Sequence, residues 1–256
     1  MAILRPASLF ATALAVAVLS LSACSAPGAQ EGANAPSSAQ SPTASRTPSP
    51  TPTPAVYSDR AIQAALTKVK ADQGITGQVI GQADFAKIIP QAKEAMKLLD
   101  VQPPACARVF QTDMSKVVSE ANLGMLASDR SNSSRSLTVH VVSFPSVEAL
   151  ERLLPVDASV ASICSDVTMR IGGFSAHASV KLVEVSVPGA KAMGSVGIVD
   201  SAGTAQTTLS VTAVKGSTEV TVNLAAPGAD SPSSVDKVTA LVSSTFAALD
   251  SQGAPA

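Results

Sequence analysis

The sequence predicts an α+β fold, an antiparallel sheet of about six or seven strands with helices packed on it. Three observations support this prediction. Apolar residues recur at helical spacing in residues 58–74 and again in 231–250. Apolar and polar residues alternate in 136–144, and five further strand-like segments separated by turn residues lie within 167–226. Helices at the two ends of the domain therefore flank a β-rich middle.

The first 23 residues have the layout of a secretory signal peptide. Arg5 precedes an apolar run over residues 7–21, which is shorter than the roughly 20 residues of a membrane span. The run ends in "LSAC" at residues 21–24, which resembles the lipobox of bacterial lipoproteins. The resemblance implies cleavage after Ala23 and a thioether-linked diacylglycerol on Cys24.

A lipid on Cys24 would anchor the protein to the extracytoplasmic face of the cell membrane. Each buried methylene contributes about 0.8 kcal/mol, so two or three acyl chains hold a bilayer much more firmly than one. The alternative is ordinary cleavage that leaves a free thiol at Cys24. The apolar run, the lipobox and the polar sequence beyond all favour the lipidated form.

Residues 24–56 are predicted to form a disordered tether. After Cys24 the segment is rich in Pro, Ser, Thr and Ala and carries only Glu31 and Arg46 as charges. It therefore buries too little apolar surface to offset the entropy of ordering. Its "TPSPTPTP" run favours an extended chain. Part of the segment has a second interpretation, as a proline-rich docking motif or a glycosylated stalk.

Residues 57–250 form one predicted domain, and 251–256 a disordered tail. The domain begins with a helix that ends at Gly74. A second helix is expected over 83–99, where Pro90 marks a kink or a restart. The apolar stripe of the first helix consists of Ile62, Leu66 and Val69.

The β-rich middle starts at the strand 136–144, in which Leu137, Val139 and Val141 share a face. Helical spacing returns in 145–155 and in 157–167.

A hairpin about "KGS" and a docking helix complete the domain. We expect each hairpin strand, within 205–225, to have one buried and one solvated side. The last helix, over 231–250, has an apolar stripe of Val235, Val238, Leu241, Val242, Thr245 and Leu249.

The three cysteines make an odd number until Cys24 is assigned to lipid. Cys106 and Cys164 then lie 58 residues apart. The signal peptide predicts that the chain leaves the cytoplasm, and disulfides persist in the oxidising environment outside it. A bond between them would stabilise the fold by about 4 kcal/mol in the chain-entropy model. The rival interpretation is a nucleophilic or metal-binding cysteine. No CxxC motif occurs, and neither His140 nor His177 is spaced as a ligand, so we predict the disulfide and no metal site.

Composition argues against nucleic acid as a partner. The chain has 18 basic and 19 acidic residues, a formal net charge of -1, without a block of Lys and Arg. It has no Trp and one Tyr, so stacking platforms for bases or sugars are not expected. We predict no nucleic-acid partner and no cofactor.

Candidate catalytic residues have simpler structural interpretations. The "GGFSAH" stretch at 172–177 is similar to a nucleophile elbow but lacks its last glycine and runs into a strand. Ser175 and His177 therefore fit a glycine turn before an edge strand, and His140 a half-buried position in a sheet. We predict no catalytic residue and no enzyme. The remaining acidic candidates are expected to be solvated charges: Asp113, Glu120 and Asp129.

Two motifs support a family resemblance. "LLDVQPPACARVF" leads from a helix to Pro-Pro-x-Cys, and "SLTVHVVSFPSVEALERLL" joins a strand to a helix through Phe-Pro-Ser, with Cys164 after that helix. Over roughly residues 80–250 the chain resembles actinobacterial lipoproteins and receptor serine/threonine kinase ectodomains with a sensor-type α+β domain. The resemblance implies extracytoplasmic binding of a ligand or partner in a groove between sheet and helices. Such domains often have two disulfides, and this chain has cysteines for one.

Three functions remain open from the sequence. The first is a membrane-anchored, non-enzymatic, sensor-like module that binds a small ligand, such as a hydrophobic one, or an envelope protein. The second is a carrier of hydrophobic envelope lipids, which requires a large apolar cavity. The third is a divergent hydrolase, which requires Ser175, His177 and a carboxylate within hydrogen-bond reach of one another.

Overall fold

The structure is a computed structural model that describes residues 56–107, 113–129, 135–154, 164–171, 173–201 and 203–253. The predicted signal peptide, Cys24 and the tether up to residue 55 lie outside these ranges. Most of the 157–167 segment, with its predicted helical spacing, lies outside them as well.

In the described ranges, a sheet of nine antiparallel strands forms the centre of the domain. The strands are β1 (Gly77–Gly81), β2 (Leu99–Gln102), β3 (Asn122–Ser128), β4 (Ser136–Ser143), β5 (Asp166–Ile171), β6 (Phe174–Val183), β7 (Lys191–Ser201), β8 (Thr204–Lys215) and β9 (Thr218–Ala225). From edge to edge they follow the order β1-β3-β4-β9-β8-β7-β6-β5-β2. The α+β class is confirmed, and the predicted strand count of six or seven is too low.

Five α-helices accompany the sheet in the described ranges. They are α1 (Asp59–Asp72), α2 (Gln82–Lys97), α3 (Met114–Glu120), α4 (Val147–Leu153) and α5 (Pro232–Ser251). The hydroxyls of Ser58 and Ser231 cap α1 and α5 by accepting backbone N–H bonds. Pro90 lies inside α2, so the helix continues through it instead of restarting.

Helices α1 and α5 pack on one face of the central strands and form the main core. The predicted stripe of α1 is buried, with Ile62 and Leu66 fully enclosed. Gly124 of β3 permits this close approach, because a Cβ there would lie 2.8 Å from Ile62 Cγ2 and 3.1 Å from Leu66 Cδ1. The sheet contributes Val139, Val141, Leu209, Val211, Val220 and Val222 to this core.

The opposite face of the sheet carries two smaller apolar clusters. The disulfide cluster consists of Val101, Cys106, Cys164, Val167, Met169, Ala176 and Ala178. The α3/α4 cluster consists of Val117, Ala121, Phe144, Ala149 and Leu150, with Val142 and Val214 of the sheet packed against it. Both clusters lie on the face that α1 and α5 leave free, so this face is covered in part.

The hairpin of β8 and β9 corrects one prediction, that each of its strands has a solvated side. All eight residues of β9 are buried. In β8 the polar side chains of Thr208, Ser210 and Thr212 are as buried as their apolar neighbours. The reason is position: the two strands lie at the middle of the sheet, with the main core on one face and the two smaller clusters flanking the other.

The strands that the sequence did not reveal are β1, β2 and β3. β1 has five residues and is bounded by glycines, and β2 has four residues directly after a helix. β3 contains Gly124 at a position that faces α1. Such short or glycine-bearing segments show little alternation of their own, and pairing within the sheet specifies them.

Tyr57 joins the start of the domain to the end of α5. Its hydroxyl donates to Asp250 Oδ1 at 2.6 Å, and Lys215 Nζ lies 2.9 Å from Asp250 Oδ2. The Tyr57 N–H donates to Ser143 Oγ at 2.9 Å, and its carbonyl accepts from Asn122 Nδ2 at 2.9 Å. Burial and the nearby Asp250 carboxylate raise the pKa of Tyr57 above its ordinary value. The chain therefore enters the domain at a fixed point.

Candidate functional site

Polar side chains from four neighbouring strands lie side by side on the face of the sheet opposite α1 and α5. Residues paired across antiparallel strands share a face, so the register alone aligns them in rows. The first row runs from β7 to β4 through Ser195, Ser210, Asn223 and Thr138. The second contains Thr212, Thr221 and His140, and Glu219 follows two residues from Thr221 on the same face. We call these eight residues the polar strip.

Glu219 lies at the end of the polar strip that meets the α3/α4 cluster. The register places it between Val142 of β4 and Val214 of β8, and both valines pack against that cluster. The carboxyl group therefore has an apolar side chain on each flank. This position explains why Glu219 is only 8% exposed.

Hydrogen bonds divide the polar strip into two short networks. In one, Thr212 Oγ1 and Thr221 Oγ1 lie 2.9 Å apart, and Thr221 Oγ1 donates to Glu219 Oε1 at 3.2 Å. In the other, Thr138 Oγ1 accepts from Asn223 Nδ2 at 3.3 Å and lies 3.2 Å from His140 Nε2. Asn223 takes part in the second network through its amide nitrogen alone, and its carbonyl oxygen accepts no hydrogen bond from the described residues.

Two atoms of the polar strip are buried without a hydrogen-bond partner in the described part of the chain. They are Asn223 Oδ1 and Ser210 Oγ, on residues that are 8% and 2% exposed and face each other across β9 and β8. An unsatisfied buried polar group costs about 1–3 kcal/mol. Native structures contain few such groups, and each calls for a specific cause.

Glu219 has no basic partner among the described residues. Within the described ranges, its carboxyl group accepts a hydrogen bond from the Thr221 hydroxyl. Burial raises the pKa of Glu219 to about 7, and the bond from Thr221 opposes that shift. Lys191 is exposed and lies two strands away, and Arg152 of α4 pairs with Glu120 of α3. A carboxyl group is thus held close to its titration midpoint at neutral pH.

His140 is the other titratable member of the polar strip. Burial lowers the pKa of its ring to about 4, so the ring is neutral at neutral pH. The side chain keeps part of its surface exposed, which agrees with the half-buried position predicted from the sequence. Of the two, Glu219 is therefore the group that ionises at neutral pH, in about half of the molecules.

The two cysteines lie where the sequence predicts a disulfide. The Sγ atoms of Cys106 and Cys164 are 2.11 Å apart and the Cα atoms 5.5 Å apart. Cys106 ends a short 3-10 turn after β2, and Cys164 lies just before β5. The bond fastens these two edge segments to each other beside the sheet.

Ser175 and His177 do not form a catalytic triad. They lie two residues apart on β6, and neither donates to the other. His177 Nε2 instead lies 2.8 Å from Asp166 Oδ1, in a pair whose side chains are 52% and 72% exposed. An exposed pair of this kind is worth little, and the arrangement required for the hydrolase interpretation is not formed.

The three acidic candidates are separate from one another and from the polar strip. Asp113 caps α3, Glu120 is the last residue of α3 and pairs with Arg152, and Asp129 follows β3.

No group of three or more His, Cys, Asp or Glu residues suited to a metal occurs in the described ranges. Among the helices of those ranges, none has the length and apolar character to cross a membrane.

Sequence reasoning did not identify the polar strip, although one signal for it was present. Glu219 is the one charged residue in the strand "TEVTVNLA", where polar and apolar residues alternate from Glu219 to Leu224. A lone carboxylate in such a strand indicates a special environment if the strand is buried on both faces. The remaining members are Ser and Thr residues, which look the same in a solvated strand.

The chain is similar to solved structures that include the following two. The extracellular domain of PknH from Mycobacterium tuberculosis matches with a TM-score of 0.48 and 15% identity, covering 73% of this chain and 95% of that one. An uncharacterized protein from Mycobacterium smegmatis, the Rv0999 ortholog, matches with a TM-score of 0.43, 15% identity and the same coverage. No protein-family model and no curated protein matches the chain.

Proposed function

We propose that the protein is a membrane-anchored, extracytoplasmic module without enzymatic activity that binds a small polar ligand in the polar strip. The observation that carries the proposal is the pair of buried, unpartnered atoms, Asn223 Oδ1 and Ser210 Oγ. A bound ligand would give both atoms the partners that the described chain lacks. The nearby Glu219, with its raised pKa, adds a feature common at functional sites.

The polar strip favours a polar ligand over a hydrophobic envelope lipid. An acyl chain offers no donor to Asn223 Oδ1 or Ser210 Oγ and would leave the Glu219 carboxyl desolvated without compensation. A polar ligand removes both costs. We therefore place the small-molecule module ahead of the lipid carrier.

The lipobox and the tether support the proposed location. A lipid on Cys24 would hold the chain at the membrane, and residues 24–56 as a coil would span about 30 Å. The tie between Tyr57 and Asp250 gives the tether a fixed point of attachment on the domain. The module would thus sample ligands within a short distance of the membrane surface.

Native mass spectrometry of the gently extracted protein tests the ligand. We expect the wild type to carry an additional small mass that denaturation releases. The double variant Ser210→Val/Asn223→Leu, which replaces the two unpartnered groups by apolar ones, should lack that mass. Thr239→Val is the matched control, because it removes an unpartnered buried hydroxyl from α5, away from the strip. A wild type without extra mass, or a double variant that retains it, would contradict the proposal.

The anchor is tested by replacing Cys24 with serine and separating membranes from soluble material. The proposal expects the wild type in the membrane fraction and Cys24→Ser in the soluble fraction. If the variant still floats with membranes, the lipid assignment to Cys24 fails.

A further inference from the structure

The chemistry of the polar strip identifies the charge of its ligand, an inference that rests on the proposed function. We propose that the strip binds a small organic cation: an amine whose ammonium group contacts Glu219 and whose far end carries a second hydrogen-bond donor for Asn223 and Ser210. Three features of the strip support this ligand class, namely its excess of acceptors, its unpaired carboxyl group and the spacing between them.

Two open groups of the polar strip, the Asn223 carbonyl oxygen and the ionised Glu219 carboxylate, only accept hydrogen bonds, and the third is the Ser210 hydroxyl, which can accept or donate. Asn223 Oδ1 is a carbonyl oxygen and can only accept, and the amide nitrogen of Asn223 donates to Thr138. An ionised Glu219 carboxylate likewise only accepts, and Ser210 Oγ is free to accept. An ammonium group offers three donors and no acceptor. Ligand donors therefore match the strip better than ligand carbonyls or carboxylates.

The environment of Glu219 leaves the counter-charge to the ligand. Val142 and Val214 flank it, and the helices of the α3/α4 cluster contribute apolar side chains on that side. His140 is neutral at neutral pH, and Lys191 is exposed two strands away. Buried carboxylates in proteins are normally paired with a cation, and the described residues do not supply one.

The spacing along β9 fixes the shape of the ligand. The Glu219 carboxyl leans toward Thr221, to which Oε1 is bonded at 3.2 Å. Thr221 and Asn223 are two residues apart, about 7 Å along a strand. A ligand that contacts Glu219 and Asn223 together therefore needs two donor groups about 7 Å apart. A chain of about four carbons provides nearly this separation, because each of its bonds, about 1.5 Å long, advances an extended chain by roughly 1.3 Å.

Three probes of equal length separate charge from shape: 4-aminobutan-1-ol, butane-1,4-diol and 4-hydroxybutanoate. Each is titrated into the full-length protein at pH 7, with binding followed by calorimetry and by the amide NMR signals of β8 and β9. We expect the amine to bind at least about tenfold more tightly than the diol, the worth of one charge-assisted hydrogen bond. The anion should bind more weakly than the diol.

Two glutamate variants locate the charge preference. Glu219→Gln keeps the side-chain shape and removes the charge, so it should reduce the preference for amine over diol to about onefold. Glu184→Gln, on an exposed glutamate after β6, should leave the preference intact. Amine binding to the wild type at pH 7 should also release about half a proton from Glu219, seen as a dependence of the heat on the buffer.

The outcomes distinguish this inference from the proposed function. Equal affinity of amine and diol, with both shifting β8 and β9, would overturn the cation and leave a polar-ligand site in place. Amine binding that survives Glu219→Gln and leaves β8 and β9 unshifted would also overturn it. If none of the three probes binds, the proposed ligand class is overturned. Native mass spectrometry of the extracted protein tests separately whether the strip binds a small ligand at all.

Discussion

Replacement of Glu219 by glutamine should make the protein more stable at pH 8 and change its stability little at pH 5. The folded pKa of Glu219 is about 7, against an ordinary value of 4.5 in the unfolded chain. The folded state therefore binds more protons than the unfolded state between these values, and the contribution of Glu219 to stability falls as the pH rises through this window. Glutamine stays neutral throughout, so the variant escapes that loss.

The size of the effect follows from the displacement of the pKa. A shift of about 2.5 units corresponds to about 3 kcal/mol, of which about 2–3 kcal/mol is expressed between pH 5 and pH 8. Since His140 titrates in both proteins, the difference between variant and wild type isolates Glu219. Solvent screens this effect little, because Glu219 is only 8% exposed.

Urea unfolding at pH 5, 6, 7 and 8 measures this difference, with Glu184→Gln as the exposed control. The free energy of unfolding of Glu219→Gln minus that of the wild type should rise by about 2–3 kcal/mol from pH 5 to pH 8. The same difference for the control should stay flat. A difference for Glu219→Gln that does not change with pH would refute the assignment of a raised pKa to this carboxyl.

Three further predictions concern the fold. Gly124→Ala should lower the free energy of unfolding by about 1–3 kcal/mol, because the new methyl group overlaps the side chains of α1; unchanged urea stability would show that α1 does not approach this closely. Tyr57→Phe should lower it by about 1–2 kcal/mol through loss of the bond to Asp250, and an unchanged thermal midpoint would contradict the tie. Intact mass should rise by two hydrogens on reduction of a Cys24→Ser protein, and Cys106→Ser/Cys164→Ser should lose about 4 kcal/mol; the absence of a mass change would exclude the disulfide.

Helix α1 and strand β4 could be predicted because each buries one side more than the other. The stripe of α1 and the alternation of β4 both reflect a single contact with the main core, which the periodicity of apolar residues records directly. The cysteine pair was accessible for a different reason, since a count of three with Cys24 assigned to lipid leaves one pairing. The periodic patterns depend on local sequence alone, whereas the cysteine pairing depends on the count over the whole chain.

The polar strip could not be predicted because it depends on register. Ser210 and Asn223 meet only through the pairing of β8 with β9, and Thr138 joins them only through the pairing of β9 with β4. Burial on the second face depends on helices and turns remote in sequence. A Ser or Thr that alternates with Val is therefore compatible with either a solvated face or a buried site.

The most direct test is to follow the side-chain carboxyl carbon of Glu219 by NMR as the pH is changed, with and without 4-aminobutan-1-ol. We expect a midpoint near pH 7 in the free protein and a midpoint at least about one unit lower with saturating amine, because the bound cation stabilises the carboxylate. A midpoint near the ordinary value of 4.5 that the amine does not move would show that Glu219 is neither buried without a partner nor part of a cation site.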